Sequence, residues 1–412
     1  MSSLSRYDIA IVGGGLMGAA LALLFCKTLP GRRVVLIEQK PLESATDQAL
    51  AQPNFDARPT ALAPTSVVIL RRLGVWPAIA SHVTAIRRVQ VSDRGHLGWV
   101  RLDTDSNSGE PLGYVVENRA LARALTDAML ACEGLEVKAP AQVQRLVTQR
   151  DSVCLELAEQ NIAAELVVVA DGADSPLRRQ LGIAEFNKDY GQTAVIANVR
   201  HQQSHGETAF ERFAHHGPLA FLPLGGAQGC TSAVVWTWPT EQAEAAMAMS
   251  DAAFLARLQS AFGYRLGQLQ QVGERQSYPL RLCLAQEQVR SGIVLMGNAA
   301  HFLHPVAGQG YNLALRDGVR LAEVLQSATG NLGDLSVLQE YERRQLADQR
   351  NTVRLSDGFN EMFRAHEPQW ILLRNLGMIG VEWSTAIRNT LIRQLSGRGS
   401  RRANPWGGIH SD

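Results

Sequence analysis

The sequence has almost no excess of charge of either sign. Its 412 residues include 40 Lys and Arg against 39 Asp and Glu, a formal net charge of +1. Nucleic-acid-binding domains carry a marked basic excess, so the composition argues against nucleic acid as a partner. The length and a hydrophobic content of 46% predict more than one domain.

The cysteines are few and scattered. They are Cys26, Cys132, Cys154, Cys230 and Cys283, an odd number with no C-x-x-C spacing. A disulfide framework and a zinc site are therefore both disfavoured. Cys26 and Cys283 lie in apolar runs, which is typical of buried thiols in a reduced cytoplasmic protein.

Long uninterrupted hydrophobic runs are also lacking. Residues 9–26 are mostly apolar, but four glycines interrupt them and Arg6 is the only side-chain cation before them. The segment lacks the basic start and the cleavage site of a signal peptide. No other stretch reaches about 18 apolar residues, so we predict no transmembrane helix and a cytoplasmic protein.

Instead, the amino-terminal residues have the pattern of a β-α-β unit. YDIAIV at 7–12 and RVVLIE at 33–38 have the composition of buried strands, and residues 17–28 that of a helix. Two parallel strands joined by a helix within about 30 residues are the start of a doubly wound sheet.

A G-x-G-x-x-G sequence, formed by Gly13, Gly15 and Gly18, joins the first strand to the helix. In this motif the first glycine permits a tight turn, the second lets the backbone approach a pyrophosphate, and the third allows close helix packing. The helix N-terminus attracts the phosphates. Glu38 ends the second strand, where an acid binds ribose hydroxyls. The combination predicts a dinucleotide site, although the motif alone would fit an unrelated glycine-rich turn.

A second glycine-rich cluster lies nearly three hundred residues later. A predicted strand at 292–296 runs into GNAAH at 297–301, and HPVAGQGYN at 304–312 leads into a predicted helix at 311–326. FAD is long enough to need both ends held, so one FAD molecule explains both clusters. Asp171-Gly172, after a predicted strand, is either part of that site or a common turn.

Alternating runs between residues 190 and 238 predict a second, mostly antiparallel sheet. We therefore predict an α/β protein with a Rossmann-type FAD-binding domain, an inserted α+β substrate domain and C-terminal helices. The predicted FAD-binding domain is discontinuous and comprises residues 1–75, 103–180 and 285–350, the substrate domain comprises 76–102 and 181–284, and the C-terminal helical region with a frayed tail comprises 351–412.

These three clusters resemble those of the class A flavoprotein aromatic hydroxylases, the group similar to p-hydroxybenzoate hydroxylase, over about residues 7–350. Within that group the chain is most similar to the ubiquinone-biosynthesis hydroxylases. The supporting segments are DARPTAL at 56–62, VVEN at 115–118, AFERF at 209–213, GPLAFLPL at 217–224 and residues 304–317.

The resemblance implies FAD as the cofactor, NADH or NADPH as co-substrate, and monooxygenation by O₂ through a flavin hydroperoxide. The implied substrate is a polyprenylated phenol of the 2-polyprenyl-6-methoxyphenol type in ubiquinone biosynthesis, with membership of a multi-enzyme complex. The cofactor would perform the oxygen chemistry while the protein orients the ring and excludes water. A hydroxylase of a soluble phenol and a flavin-binding assembly subunit with little activity remain alternatives.

The resemblance also implies roles for individual residues. The implied cofactor-binding residues are Gly13, Gly15, Gly18, Glu38, Arg58, Asn118, Asp171, Gly172, Asn298, Pro305, Gly308, Gln309, Gly310 and Asn312. Asn298 stands where the family usually has Asp; its amide oxygen still accepts a hydrogen bond, but without the negative charge. The catalytic candidates are His304, Pro305, Phe221, Leu222 and Pro223.

Among these candidates, Phe221, Leu222 and Pro223 are expected to form an apolar wall facing the flavin, and His304 to be a candidate proton relay. His301 and His304 have no evident Cys or carboxylate partner, so we predict no metal site.

The C-terminal residues combine basic and apolar side chains. The arginines are Arg388, Arg393, Arg398, Arg401 and Arg402, interleaved with Ile387, Leu391, Ile392 and Leu395. This pattern fits a basic amphipathic helix on an anionic membrane, or a helix packed on its own domain with solvated arginines. The lipid substrate implied by the resemblance favours peripheral contact with the inner face of the membrane.

Overall fold

A computed structural model describes residues 5–42, 59–93, 99–104, 109–303 and 308–364, together with 390 and 392. Within these residues the chain forms three sheets and nine α-helices. The helices are α1 (Leu16–Thr28), α2 (Pro64–Arg72), α3 (Trp76–Ile79), α4 (Asn118–Leu130), α5 (Pro176–Gln180), α6 (Thr240–Ala248), α7 (Asp251–Phe262), α8 (Gln309–Ser327) and α9 (Leu335–Arg364).

The first sheet contains the β-α-β unit. Its strands are β1 (Ser5–Val12), β2 (Val34–Ile37), β8 (Leu135–Lys138), β9 (Val143–Thr148), β10 (Val153–Leu157), β11 (Asn161–Val169), β18 (Val289–Arg290) and β19 (Ile293–Leu295). The order is β18-β19-β11-β1-β2-β8. Strand β10 pairs antiparallel with β11, and β9 pairs antiparallel with β10. The pairs from β19 to β8 are parallel, as the predicted Rossmann-type domain requires.

The second sheet has nine strands and is antiparallel except for one pair. Its strands are β5 (Arg88–Asp93), β6 (Trp99–Asp103), β12 (Glu185–His201), β13 (Thr208–Ala214), β14 (Gly217–Leu224), β15 (Thr231–Pro239), β16 (Leu269–Val272), β17 (Gln276–Ala285) and β20 (His301–Phe302). The order is β20-β17-β12-β15-β14-β13-β5-β6, with β16 on β12, and β13 pairs with β5 in parallel. A small third sheet has the order β3 (Pro59–Leu62), β7 (Gly113–Glu117), β4 (Val83–Ile86).

Each face of the first sheet packs into a core of its own. Ile9 and Ile11 of β1 face a core shared with α1, α4 and α8, whereas Ala10 and Val12 face one shared with β9, β10 and α5. Helix α1 is apolar on all sides because it is sandwiched between the sheet and other helices. The second sheet buries one face against α6 and α7.

The predicted fold class is confirmed, and one predicted domain boundary needs revision. Residues 76–86 were expected in the substrate domain, but Ile79 packs into the core of the first sheet and β4 pairs with β7. We therefore propose that the substrate domain begins at about residue 87, and the other boundaries remain predictions. In the C-terminal region, Ile392 packs against Val100 and Leu102 of β6.

Candidate functional site

Three of the predicted motifs begin at the same edge of the first sheet. Val12 of β1 pairs with Val169 of β11, which pairs with Leu295 of β19. Because these strands are parallel, the turns that follow them emerge side by side at their carboxyl ends. This edge is where open α/β sheets bind their ligands.

The first glycine turn is sterically required in this form. Gly13 has φ +106°, and a Cβ there would lie 2.5 Å from the carbonyl oxygen of Ala170. A Cβ at Gly18 would lie 1.7 Å from the carbonyl oxygen of Gly13. A Cβ at Gly15, the N-cap residue directly before α1, would meet no protein atom within 4 Å. Gly13 and Gly18 therefore shape the turn, whereas Gly15 leaves space beside the helix N-terminus.

Glu38 lies directly against this turn. Its Oε2 accepts a hydrogen bond from the backbone N–H of Gly14 at 2.5 Å, and its Oε1 accepts one from Lys40 at 2.9 Å. The carboxylate is thus held beside the glycine turn, at the position where an acidic residue of this motif binds the ribose hydroxyls.

The Asp171-Gly172 turn follows β11 at the same edge. Gly172 has φ +103°, a conformation that favours glycine. Asp171 Oδ2 accepts a hydrogen bond from the N–H of Leu177 at 3.4 Å, whereas Oδ1 is buried with no partner in the described part of the chain. Burial raises the pKa of this carboxyl, despite hydrogen bonds from Ser175 and Leu177 that oppose the shift. Buried acceptors without a partner are rare in folded proteins, so Asp171 Oδ1 is a candidate acceptor for a ligand hydroxyl.

Arg178 ties this turn to the second glycine cluster. Its guanidinium donates to the carbonyl oxygens of Ala299 at 2.8 Å and Ala173 at 2.9 Å. It also forms an ion pair with Glu185, at the start of the long strand β12. The sequence interpretation missed this buried arginine, although its position seven residues after Asp171 was visible.

The second cluster packs on α1 and on β3. Gly297 has φ +58°, and a Cβ there would lie 3.1 Å from Cγ of Met17. Gly308 has φ +59° and a Cβ there would lie 2.9 Å from Cβ of Ala61. Asn298 is exposed in the short 3₁₀ turn Gly297–Ala299. The two distant glycine clusters are therefore neighbours in the fold.

Asn312 proves to be a structural residue. Its Nδ2 donates to the carbonyl oxygens of Ala61 at 2.8 Å and Gly308 at 2.7 Å. Its Oδ1 accepts from the N–H of Ala63 at 2.8 Å and the hydroxyl of Ser66 at 2.7 Å. The side chain is 1% exposed and fully used by these bonds. We therefore correct the expected cofactor contact: Asn312 joins the start of α8 to the 61–66 segment.

The remaining cofactor candidates divide by position. Asn118 accepts a hydrogen bond from the hydroxyl of Thr60 at 2.5 Å, which brings the VVEN and DARPTAL segments together. Gln309 is buried, and a Cβ at Gly310 would meet no protein atom within 4 Å. The candidates that lie outside the described residues are Arg58, His304 and Pro305.

Of the three residues predicted to form an apolar wall facing the flavin, Phe221, Leu222 and Pro223, two lie on the opposite face of the sheet. Phe221 is fully buried, and its ring stacks on that of Phe262 of α7 with 3.9 Å between the ring centroids. It belongs to the core on the face of the second sheet that packs against α6 and α7, which we call the outer face. Strand alternation places Pro223 on that same face. Leu222 faces the other way, towards Ile86 and its neighbours. The structure argues against a flavin-facing role for Phe221 and Pro223 and leaves Leu222 as the candidate.

A buried histidine–carboxylate pair lies beside the second cluster. His301 Nε2 is 2.6 Å from Asp317 Oδ2, and that oxygen also accepts a hydrogen bond from Gln349 at 3.0 Å. The pair links β20 to α8 and α9. No group of three or more His, Cys, Asp or Glu side chains suited to a metal ion occurs among the described residues.

A charged cleft lies at the opposite end of the first sheet. It has a volume of about 530 Å³ and its lining includes Arg6, Asp8, Arg33, Arg150 and Glu165. It borders the amino ends of β1 and β11, away from the glycine turns, so it is not the site that the motifs define.

The residues at the carboxyl edge fit FAD. The Gly15 backbone leaves room at a helix N-terminus, Glu38 lies at one side of it, and Asp171 presents an unpartnered oxygen. Gly15 and Glu38 would hold the pyrophosphate and adenosine ribose, and the Asp171 and Gly308 turns the flavin portion.

The comparisons with known proteins agree with this site. The family described as FAD binding domain matches residues 6–356. A solved structure of p-nitrophenol 4-monooxygenase PnpA from Pseudomonas putida has a TM-score of 0.76 at 18% identity, covering 97% of this chain and 100% of that one. The chain therefore belongs to the FAD binding domain family, with the fold of the flavoprotein monooxygenases.

Similarity to curated proteins narrows the group further. The chain is 34% identical over 394 residues to ubiquinone hydroxylase UbiL of Rhodospirillum rubrum, covering 95% of this chain and 89% of the relative. It is 32% identical over 395 residues to 3-demethoxyubiquinol 3-hydroxylase of Escherichia coli, covering 95% and 98%. It is accordingly an FAD-dependent aromatic hydroxylase of the ubiquinone-biosynthesis group.

Proposed function

We propose that the protein uses NADH or NADPH and O₂ to hydroxylate the ring of a polyprenylated phenol of the 2-polyprenyl-6-methoxyphenol type. The observation that carries this proposal is the apolar inner face of the second sheet, which is the face opposite α6 and α7. On that face Ala209, Leu224 and Ala233 are buried against Ile86 and Val115 of the third sheet. The half-buried Leu222, Val89 and Leu112 continue this apolar surface. An apolar face beside the flavin turns suits a prenylated ring better than a small charged phenol.

The same face extends to the second glycine cluster. Ala194, Leu280 and Leu282 pack with Leu303 and Leu313. Leu303 immediately precedes the 304–307 segment, and Leu313 lies in the first turns of α8. These contacts join the predicted substrate side to the predicted flavin side.

Bound FAD would supply electron transfer and oxygen activation. The chain's own part is to bind, to orient and to exclude water. Gly15 and Glu38 would anchor the adenosine half, while Arg178 fixes the turns at Ala173 and Ala299 relative to each other. Leu222 and its apolar neighbours would keep water from the reacting ring.

The test uses the purified holoenzyme with NADH or NADPH and a 2-polyprenyl-6-methoxyphenol in detergent micelles. We expect a product heavier by one oxygen atom, detected by mass spectrometry, with ¹⁸O incorporated from ¹⁸O₂. 3-Demethoxyubiquinol, named in the E. coli relative, and soluble phenols are assayed in parallel. If 3-demethoxyubiquinol or a soluble phenol is hydroxylated and the 2-polyprenyl-6-methoxyphenol is not, the proposed substrate is overturned. If none of these compounds is hydroxylated, the assembly-subunit alternative is favoured.

We also propose that the enzyme meets its lipid substrate at the inner face of the membrane, within a biosynthetic complex. In the part of the chain that the structure describes, no helix is both long and apolar enough to span a bilayer. Ile392 packs on β6, so the remaining tail residues would provide the contact. Deleting residues after 392 should reduce flotation with anionic liposomes, and unchanged flotation would refute this contact.

A further inference from the structure

Glu211 lies in the middle of the apolar inner face of the second sheet. It is on β13, where its strand neighbours are Ala220 of β14 and Val91 of β5. The preceding residue, Phe210, packs into the outer core with α7. Because side chains alternate along a strand, Glu211 points to the inner face, together with Ala209.

The surroundings of this carboxylate are apolar. Ala209 on the same strand and Leu222 on the neighbouring β14 belong to the cluster that packs with the third sheet. On the other side, Val89 and Val91 pack with β6, which Ile392 covers. Within the described ranges, no hydrogen bond or ion pair involves the Glu211 carboxylate, and burial raises its pKa to about 7.

Burying a carboxylate without a partner is energetically costly. The presence of Glu211 on the sheet face that we propose contacts the substrate therefore indicates a functional role. The titratable group closest along the same face is Asp93, which pairs with Phe213 two residues further along β13. The third-sheet residues that pack on this face, Ile86 and Val115, carry no charge. Among described residues no cation faces Glu211 from these elements, so burial alone sets its proton affinity.

We propose that Glu211 accepts the proton of the substrate's phenol hydroxyl as the ring is hydroxylated, an inference that rests on the proposed function. The phenol O–H bond breaks, and its electron pair stays on the oxygen and feeds into the ring. The new O–H bond forms on the Glu211 carboxylate, so the step transfers one proton and no electrons. A base with a proton affinity close to the working pH is well matched to this task.

The test compares Glu211→Gln and Glu211→Asp with the wild-type holoenzyme. Glu244→Gln, an exposed substitution on α6 of the same sheet domain, is the matched control. Measured quantities are bound flavin, phenol affinity from the perturbation of the flavin spectrum, and hydroxylated product per NAD(P)H oxidised between pH 6 and 9.

We expect Glu211→Gln to keep its flavin and its phenol affinity within several-fold, but to hydroxylate at least about 100-fold more slowly. The wild-type rate should rise with pH through about 7, the pKa of Glu211, and this rise should be absent in Glu211→Gln and kept in Glu211→Asp. A ring-fluorinated substrate is already ionised in solution at the higher pH, so it should reduce the loss of hydroxylation rate in Glu211→Gln. Glu244→Gln should match the wild type.

Two contrary results have different meanings. If the wild type hydroxylates the phenol and Glu211→Gln does so at the same rate and with the same pH profile, the role of Glu211 is refuted alone. If the wild type hydroxylates no phenol, the proposed function fails and this inference with it. If Glu211→Gln loses its flavin, the pH dependence of hydroxylation is compared between the wild type and Glu211→Asp instead. A wild-type hydroxylation rate that does not change between pH 6 and 9 then refutes the role of Glu211.

Discussion

Two glycines of the same turn should respond in opposite ways to an added side chain. A Cβ at Gly18 would lie 1.7 Å from the Gly13 carbonyl oxygen, whereas real Cβ contacts stay beyond 3.0 Å. Gly18→Ala must therefore displace α1 from the turn by at least about 1.3 Å, the difference between these two distances. Overpacking of this kind costs about 3 kcal/mol or more, a large part of a typical stability.

Gly15→Val should spare the fold and remove the flavin. Gly15 has φ −66° and ψ −175°, extended backbone that any residue adopts, and no protein atom lies within 4 Å of its Cβ position. We expect the apoprotein's free energy of unfolding to change by less than about 1 kcal/mol. The branched side chain would occupy the space proposed for the pyrophosphate, and FAD should bind at least about tenfold more weakly, ~1.4 kcal/mol.

The assay measures both quantities on both variants. Urea unfolding of the apoproteins gives stability, and titration with FAD gives affinity. Gly15→Val that binds FAD as tightly as the wild type in this titration would refute the placement of the pyrophosphate. Gly15→Val destabilised as much as Gly18→Ala would refute the steric argument.

The remaining predictions concern buried polar side chains. Asn312→Ala leaves the N–H of Ala63 and the hydroxyl of Ser66 without their acceptor, and urea unfolding should show a free energy of unfolding lower by about 3 kcal/mol. Asn312→Asp keeps that acceptor but sets a buried carboxylate oxygen against the carbonyl oxygens of Ala61 and Gly308, so it should lose at least as much. An unchanged unfolding midpoint in Asn312→Ala would contradict this. Burial lowers the pKa of His201 to about 4, below its unfolded value near 6.5. Its stabilising effect is complete above pH 6.5 and is lost as the pH falls towards 4, by at most about 1.4 kcal/mol per pH unit. Urea unfolding at pH 7 and pH 5 should show a smaller difference in His201→Gln, and equal pH dependence of the two proteins would count against this assignment.

Local sequence was sufficient for the elements whose pattern is continuous along the chain. The apolar runs of β1, β2 and β19 and the apolar stripe of α8 were predicted within a few residues. The less regular β17 was not predicted, because Pro279 and its polar residues resemble a loop. It becomes a strand because the 17-residue β12 supplies a pairing partner.

Local sequence patterns were enough to predict the class of site, because the glycine turn, its spacing to Glu38 and the second glycine cluster each have a stereochemical cause. Tertiary structure decided which side chains are available to a ligand. Asn312 turned inward to bond the 61–66 segment, and Phe221 turned towards α7. Glu211 acquired its apolar surroundings from strands far apart in the chain. The direction of a side chain depends on strand register and on what packs above it, and neither is encoded in the few residues around it.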